Sequence, residues 1–347
     1  MVATEEFLTL PEIRRGAMRN MSREVWDYAS GGAETETTLR RNRRAMSHYV
    51  FRPRVLRDVS QIDLSTSLLG IPLALPVMTA PMGSTHYFHP DGDLALARAT
   101  GRMGTLHWMS TVGAYSPEQV AEAATGPLIF QLYFWGGYDW GEQIIRRVEA
   151  VGFKAVCLTV DVANYGRRER DLEKRYNPRG GARAIAIERD ETRMASLTWK
   201  DVDWLKRTTR LPLAVKGIET AEDARIAVEH GVDVVYVSNH GGRQLDHAPG
   251  TIETLPEVVE AVGGRAEVVV DGGFQRGTDV LKAVALGARA VCIGKAAAWG
   301  LGAAGEDGVV RTLELFATEL RIALANTGQP RLADVGPELV RHACVSY

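Results

Sequence analysis

Polar residues of kinds that do chemistry recur in this sequence where apolar runs end. Pro81-Met82-Gly83 closes the first run, Ser110 the second, and Gln131 and Tyr133 lie on the third. Thr159 and Asp161 end the fourth, Lys216 the fifth, and Ser238-Asn239-His240 the sixth. Asp271-Gly272-Gly273 and Gly294-Lys295 follow the last two. Packing alone does not account for such a series, since a lysine ending an apolar run is rarely buried unpaired. The glycines at 272, 273 and 294 allow backbone N–H groups to approach an anion closely, as at phosphate sites before helix N-termini. The set suits a phosphate-bearing ligand held beside groups able to move a proton.

Those residues need a scaffold that brings eight run-ends to one place. The runs are 73–80, 105–109, 128–133, 155–161, 211–217, 234–238, 267–273 and 290–294. Most are continuously hydrophobic and β-branched, the pattern of parallel strands covered on both faces. Helical patterns lie between them, such as Ile144, Ile145, Val148 and Val151, or Ala221, Ala224, Ala227 and Val228. Ser116 with Gln119, Thr198 with Asp201 and Thr220 with Asp223 have capping-box spacing.

Eight strand-then-helix units between residues 73 and 325 predict an α/β fold, a TIM (β/α)8 barrel, whose usual size is ~250 residues. An open doubly wound sheet is disfavoured, because it rarely needs eight parallel strands. In a barrel, active groups come from the C-terminal ends of strands, and phosphate binds after strands 7 and 8. The expected organisation is one unit over 1–347: an N-terminal helical cap (1–72), the barrel (73–325) and a C-terminal extension (326–347). Within the cap, 62–76 reads as a hairpin closing the barrel bottom. The connection after strand 4, Val162 to Leu197, is long and charged, and reads as a lid.

Composition narrows the function classes. The 347 residues are 45% hydrophobic and 24% charged, with formal net charge −2, so no nucleic-acid footprint is indicated. The run Arg40, Arg41, Arg43, Arg44 reads as a solvated helix face. Cys157, Cys292 and Cys344 show no metal or disulfide spacing, and the first two read as core. No metal site is expected. Neither a secretory signal nor a membrane-length apolar run is seen, so a cytoplasmic protein is expected.

Ser238 to Asp246, SNHGGRQLD, resembles the signature of the FMN-dependent α-hydroxy-acid oxidases and dehydrogenases, the glycolate oxidase, mandelate dehydrogenase and hydroxymandelate oxidase group. The likeness extends to DYASGGAE (27–34), FRPR (51–54), FQLY (130–133), LTVD (158–161), GRRERD (166–171), VKG (215–217) and DGGFQRGTDVLKA (271–283). It implies FMN-dependent oxidation of an L-2-hydroxy acid to the 2-oxo acid. Such a reaction must hold a carboxylate, remove a proton and pass two electrons to the flavin.

The resemblance assigns the carboxylate to Arg168 and Arg243, whose planar forks suit it, with a further hydrogen bond from Tyr28. His240 is implied as general base, oriented by Asp161, with Tyr133 at the substrate hydroxyl. Lys216 is implied near flavin N1 and C2=O, where a fixed cation stabilises charge on reduction. Pro81, Met82, Gly83, Ser110, Gln131, Thr159 and Ser238 are the expected flavin contacts. Asp271, Gly272, Gly273, Gln275, Gly294 and Lys295 are expected around its phosphate.

Two departures stand out. Where relatives carry arginines at the phosphate, this chain has Gln275 and Lys295, so weaker FMN retention is expected. The connection after strand 4 is shorter than in many relatives, which predicts a more open pocket. Val112 stands where glycolate oxidase-like members carry a bulkier aromatic, and the space it leaves favours a larger, aromatic or mandelate-like acid. Tyr165, His86, Tyr87, Phe88 and Phe134 are the expected mouth, with Val112 and Tyr165 expected to touch the substrate. The electron acceptor is oxygen, a quinone or a carrier protein, and a homotetramer is implied by resemblance. Two other readings stay open: the same machinery acting on an amino-acid or peptide-derived substrate, and a flavin-binding barrel without catalysis.

Overall fold

A computed structural model of the chain describes residues 7–177, 185 and 190–343. Part of the lid segment (178–184 and 186–189) and Cys344 therefore lie outside the described residues.

Eight parallel strands close into a barrel: β1 Val77–Thr79, β2 His107–Ser110, β3 Leu128–Leu132, β4 Val156–Thr159, β5 Leu213–Ile218, β6 Val234–Val237, β7 Glu267–Val270 and β8 Ala290–Ile293. Each pairs with the next, and β8 pairs with β1, Cys292 opposite Met78. The strands are almost uniformly buried, as continuous apolar runs covered on both faces require. Met78, Trp108, Ile129, Cys157, Ala214, Tyr236, Val269 and Cys292 form one apolar cluster with Leu68 and Leu73. The last two belong to the expected hairpin, Thr66–Leu68 paired antiparallel with Ile71–Leu73. It plugs the N-terminal end of the barrel, and the polar groups collect at the other.

Three cap helices precede the barrel: α1 Leu10–Asn20, α2 Arg23–Ser30 and α3 Thr37–Ala45. Between the strands run α4 Gly92–Arg102, α5 Pro117–Ala123, α6 Tyr138–Ala150, α7 Glu169–Glu173, α8 Glu191–Ala195, α9 Trp199–Thr208, α10 Ala221–Glu229, α11 Thr251–Val262 and α12 Gly277–Ala285. The last helix, α13 Lys295–Thr327, breaks helical geometry at Ala304 and Gly305. At α5 both halves of the capping box form: Ser116 Oγ accepts from Gln119 N, and Gln119 Oε1 accepts from Ser116 N. Tyr49–Phe51 pairs antiparallel with Val340–His342, tying the cap to the end of the described chain.

Helix α3 settles on the turn after β6 through defined bonds. Asp246 accepts from Thr35 Oγ1 (2.6 Å) and Thr38 N (2.8 Å), and Asn42 exchanges amide bonds of 2.9 Å with Asn239. The basic run on this helix corrects a sequence expectation. Arg41 stays exposed and pairs with Glu253, but Arg43, half-buried, bonds the Gly273 carbonyl and Asp279, so this one arginine is not a plain solvated charge. A charge pattern does not reveal which loop a helix will dock against.

Candidate active site

A cavity opens at the C-terminal ends of the strands. It encloses about 1590 Å³ of space, open solvent at its mouth included. Its wall contains Tyr28, Tyr133, Arg168, Lys216, His240 and Arg243, together with Gly272, Gly273, Gln275, Gly294 and Lys295. Pro81, Met82 and Gly83 complete it from the end of β1.

His240 follows β6 with φ +58°, and Gly241 and Gly242 continue in the left-handed region at +65° and +73°. A non-glycine residue in that region is uncommon, and such strain gathers at functional sites. Its amide donates to Ser238 Oγ (3.1 Å), fixing the turn. The ring Nδ1 lies 3.1 Å from both carboxylate oxygens of Asp161, and Nε2 lies 3.4 Å from the Tyr133 hydroxyl. Burial holds the His240 pKa below its ordinary value, with Lys216 adding to that and Asp161 opposing it. Asp161 is itself held low: burial would raise it, but His240 and Lys216 outweigh that.

Two guanidiniums face this pair. Arg243 Nη1 donates to the carbonyls of Tyr28 (2.5 Å) and Gly31 (3.1 Å), and its guanidinium lies 4.8 Å from the Tyr28 ring centroid. Arg168 precedes α7, is 7% exposed, stacks 4.0 Å over the Tyr165 ring and bonds its hydroxyl. Burial, then the charge of Arg243, pushes the Arg168 pKa down. Two adjacent cations in so dry a place make a ready site for an anion with a bidentate face. The Tyr28 hydroxyl points to the Gly83 carbonyl at 3.5 Å, and its pKa is raised by burial.

Beneath, the strand ends carry two bonded chains of side chains. Ser110 Oγ donates to Gln131 Oε1 (2.7 Å), and Gln131 Nε2 donates to Thr159 Oγ1 (2.9 Å). Lys216 Nζ donates to Ser238 Oγ at 2.8 Å, and Ser238 donates to Asp271 Oδ1 at 2.8 Å. Burial would lower the Lys216 pKa, but Asp161 and Asp271 raise it overall, so the amine stays cationic.

The sequence prediction for the mouth is partly corrected. Phe88 lines the cavity, but Phe134 is fully buried against Trp204 and Trp140, while Trp135 lines the cavity and stacks on Tyr133. His86 and Tyr87 are not in the wall, which Val112, Val162, Ala163, Tyr165 and Met194 complete. Successive side chains leaving β3 point to opposite sides, so 133 and 135 share a face and 134 does not.

Met194, Trp135 and Arg43 went unforeseen. So did Glu219, after β5, whose Oε2 is buried without a hydrogen-bond partner among the described residues. Burial, then Asp161 and Asp271, push its carboxyl up to about 7. A buried Thr79–His107–Asp93–Thr85 chain was also missed, with its His–Asp contact at 3.4 Å.

The family of FMN-dependent dehydrogenases matches residues 17–342. The chain belongs to that family. It is an FMN-dependent oxidoreductase by that membership, and the barrel follows the family's architecture. A peroxisomal (S)-2-hydroxyacid oxidase of Arabidopsis thaliana is 42% identical over 355 residues, covering 97% of each chain. Glycolate oxidase 1 of Oryza sativa subsp. indica is 42% identical, covering 95% of this chain and 94% of its own. Among solved structures, mandelate oxidase with 3,3-difluoro-2-hydroxy-3-phenylpropionic acid superposes with TM-score 0.91 at 38% identity, covering 97% of this chain and 99% of that one. An active chimera of (S)-mandelate dehydrogenase gives 0.91 at 34%, covering 96% and 99%.

The residues present fit the family's cofactor. Gly272 and Gly273 have φ of +99° and +84°, so backbone rather than side chain faces the cavity there. Lys295 lines the cavity with Nζ on the Gly241 carbonyl (2.9 Å) and no carboxylate in salt-bridge reach among the described residues. An amine so placed is matched by a phosphate.

Proposed function

We propose that this member of the FMN-dependent dehydrogenase family oxidises a bulky or aromatic (S)-2-hydroxy acid to the 2-oxo acid. The observation that carries the reading is the His240–Asp161 pair, with His240 lining the same cavity as Arg168 and Arg243. The two arginines hold the carboxylate and Tyr28 adds a hydrogen bond, which sets the 2-carbon beside His240 Nε2. Tyr133 orients the substrate hydroxyl. His240, kept neutral by burial, takes a proton from Cα or from the hydroxyl. Asp161 stabilises the resulting imidazolium.

When bound, FMN accepts the two electrons released by the acid. Gly83, on the cavity wall, with Ser110, Gln131, Thr159 and Ser238 at the neighbouring strand ends, would hold its ring system and ribityl chain. Lys216 supplies fixed positive charge, and Gly272, Gly273, Gln275, Gly294 and Lys295 hold the phosphate. Oxygen, a quinone or a carrier protein reoxidises the cofactor.

Val112 and the apolar wall of Phe88, Trp135 and Met194 support a substrate with a large side chain. A cytoplasmic homotetramer completes the proposal. Two of the relatives are named as peroxisomal, so cell fractionation checks the location and light scattering the assembly. The function itself is tested by anaerobic mixing of the holoenzyme with a panel of 2-hydroxy acids. Bleaching of the flavin by mandelate-type acids, faster than by glycolate, is expected. A clear preference for glycolate overturns the size assignment, and no bleaching by any 2-hydroxy acid overturns the activity.

A further inference from the structure

The glycine-rich end of the cavity has an unusual supply of charge. Gln275 is neutral, and Arg276 turns outward to Glu319 at 2.9 Å. Lys295 reaches the Gly241 carbonyl, and its pKa is lowered well below the ordinary value by burial and by Arg243 and Arg168. The loops after β7 and β8 therefore bring no guanidinium to the place where a phosphate would sit.

A guanidinium on the same cavity wall comes instead from the cap. Arg43, on α3, lines the same cavity wall as Gly272, Gly273 and Gln275. Its Nη1 donates to the Gly273 carbonyl at 2.9 Å and to the Asp279 carboxylate, and Nη2 lies 3.3 Å from Asp279 Oδ1. Its Nε–H and the second Nη2–H have no acceptor among the described residues. The arm is not a wandering surface charge. A Cβ on Gly273 would stand 2.6 Å from the Asn42 carbonyl oxygen, so the α3 backbone lies directly on the phosphate-side turn.

We infer that Arg43 is a phosphate-binding residue for FMN, supplied by the cap helix in the absence of a guanidinium at position 275. Two effects converge on it. Its free N–H groups offer charge-assisted bonds to phosphate oxygens. It also neutralises Asp279, a buried carboxylate that takes up the Gln275 and Arg276 amides (2.9 and 3.0 Å) and would otherwise repel the phosphate. Cofactor binding and docking of the cap are thereby linked, and the expected loss of FMN affinity from Gln275 and Lys295 is offset in part.

The inference rests on FMN as the cofactor and is independent of which acid is oxidised. It is tested on the full-length apoprotein, titrated with FMN and with riboflavin, which shares the ring and ribityl chain and lacks the phosphate. Arg43→Gln is expected to weaken FMN by about tenfold or more while leaving riboflavin within about twofold. Arg43→Lys, which keeps the charge without the fork, is expected to fall between. Retained riboflavin binding shows that the variant is folded. Equal weakening of both flavins, or no weakening of FMN, overturns the inference. Wild-type protein binding neither flavin would instead strike at the cofactor reading itself.

Discussion

The imidazole of His240 is gripped from behind: Nδ1 lies 3.1 Å from each carboxylate oxygen of Asp161, leaving Nε2 as the nitrogen near Tyr133. This fixes the role each atom can play. A ring held at Nδ1 presents one basic nitrogen in one direction, beside the arginine pair.

The pH dependence follows from that geometry. Burial puts the His240 pKa below the ordinary histidine value of ~6.5, so the neutral base is already formed under mildly acidic conditions. kcat/KM is expected to rise with pH through a midpoint below ~6.5 and then level. Asp161 pulls the pKa upward, so Asp161→Asn moves the midpoint lower still while the plateau falls by about 10²–10⁴. A midpoint that moves upward in the variant contradicts the pairing. Steady-state profiles of both proteins check it.

Val112 meets the end of β1 closely: a Cβ on Gly83 would lie 2.9 Å from the Val112 Cβ. A large aromatic at 112 would occupy the room assigned to the substrate side chain. Val112→Trp is expected to lower kcat/KM for mandelate-type acids relative to glycolate by about tenfold or more. An unchanged ratio places the side chain elsewhere.

Lys216 is 3% exposed, with Ser238 at 2.8 Å and Asp271 at 3.8 Å. Replacing it by Met removes the fixed cation and leaves Asp271 without its ion partner. The expected result is a lower flavin midpoint potential and flavin reduction slowed by about 10²-fold. Potentiometry with equilibrating dyes reads the first and stopped-flow the second. An unchanged potential removes the electrostatic role.

Much of the frame was legible because its signals are local. Continuous β-branched runs such as Val234–Val237 cannot sit on an exposed face, and the Ser116–Gln119 box marks a helix start wherever the helix later packs. The stretch 62–76, with Leu68 and Leu73, read as a hairpin closing the barrel. The strand-end residues were legible too, since polar groups ending buried strands have few other uses. What escaped depended on neighbours distant in sequence. Arg43 looked like one of four similar arginines until α3 docked on Gly273. Phe134 and Trp135 differ only in which way the chain turns after β3. Met194 enters the cavity from a segment with no periodic pattern. Glu219 and Asp93 look like ordinary surface charges until strands and helices enclose them.

The most direct test is a single-turnover comparison of the holoenzyme with His240→Ala, both loaded with FMN and mixed anaerobically with a mandelate-type acid. The variant is expected to hold FMN in the same ratio as the parent and to reduce it more slowly by about 10²–10⁴. Flavin reduction at the parent rate would contradict the assignment of His240 as the base.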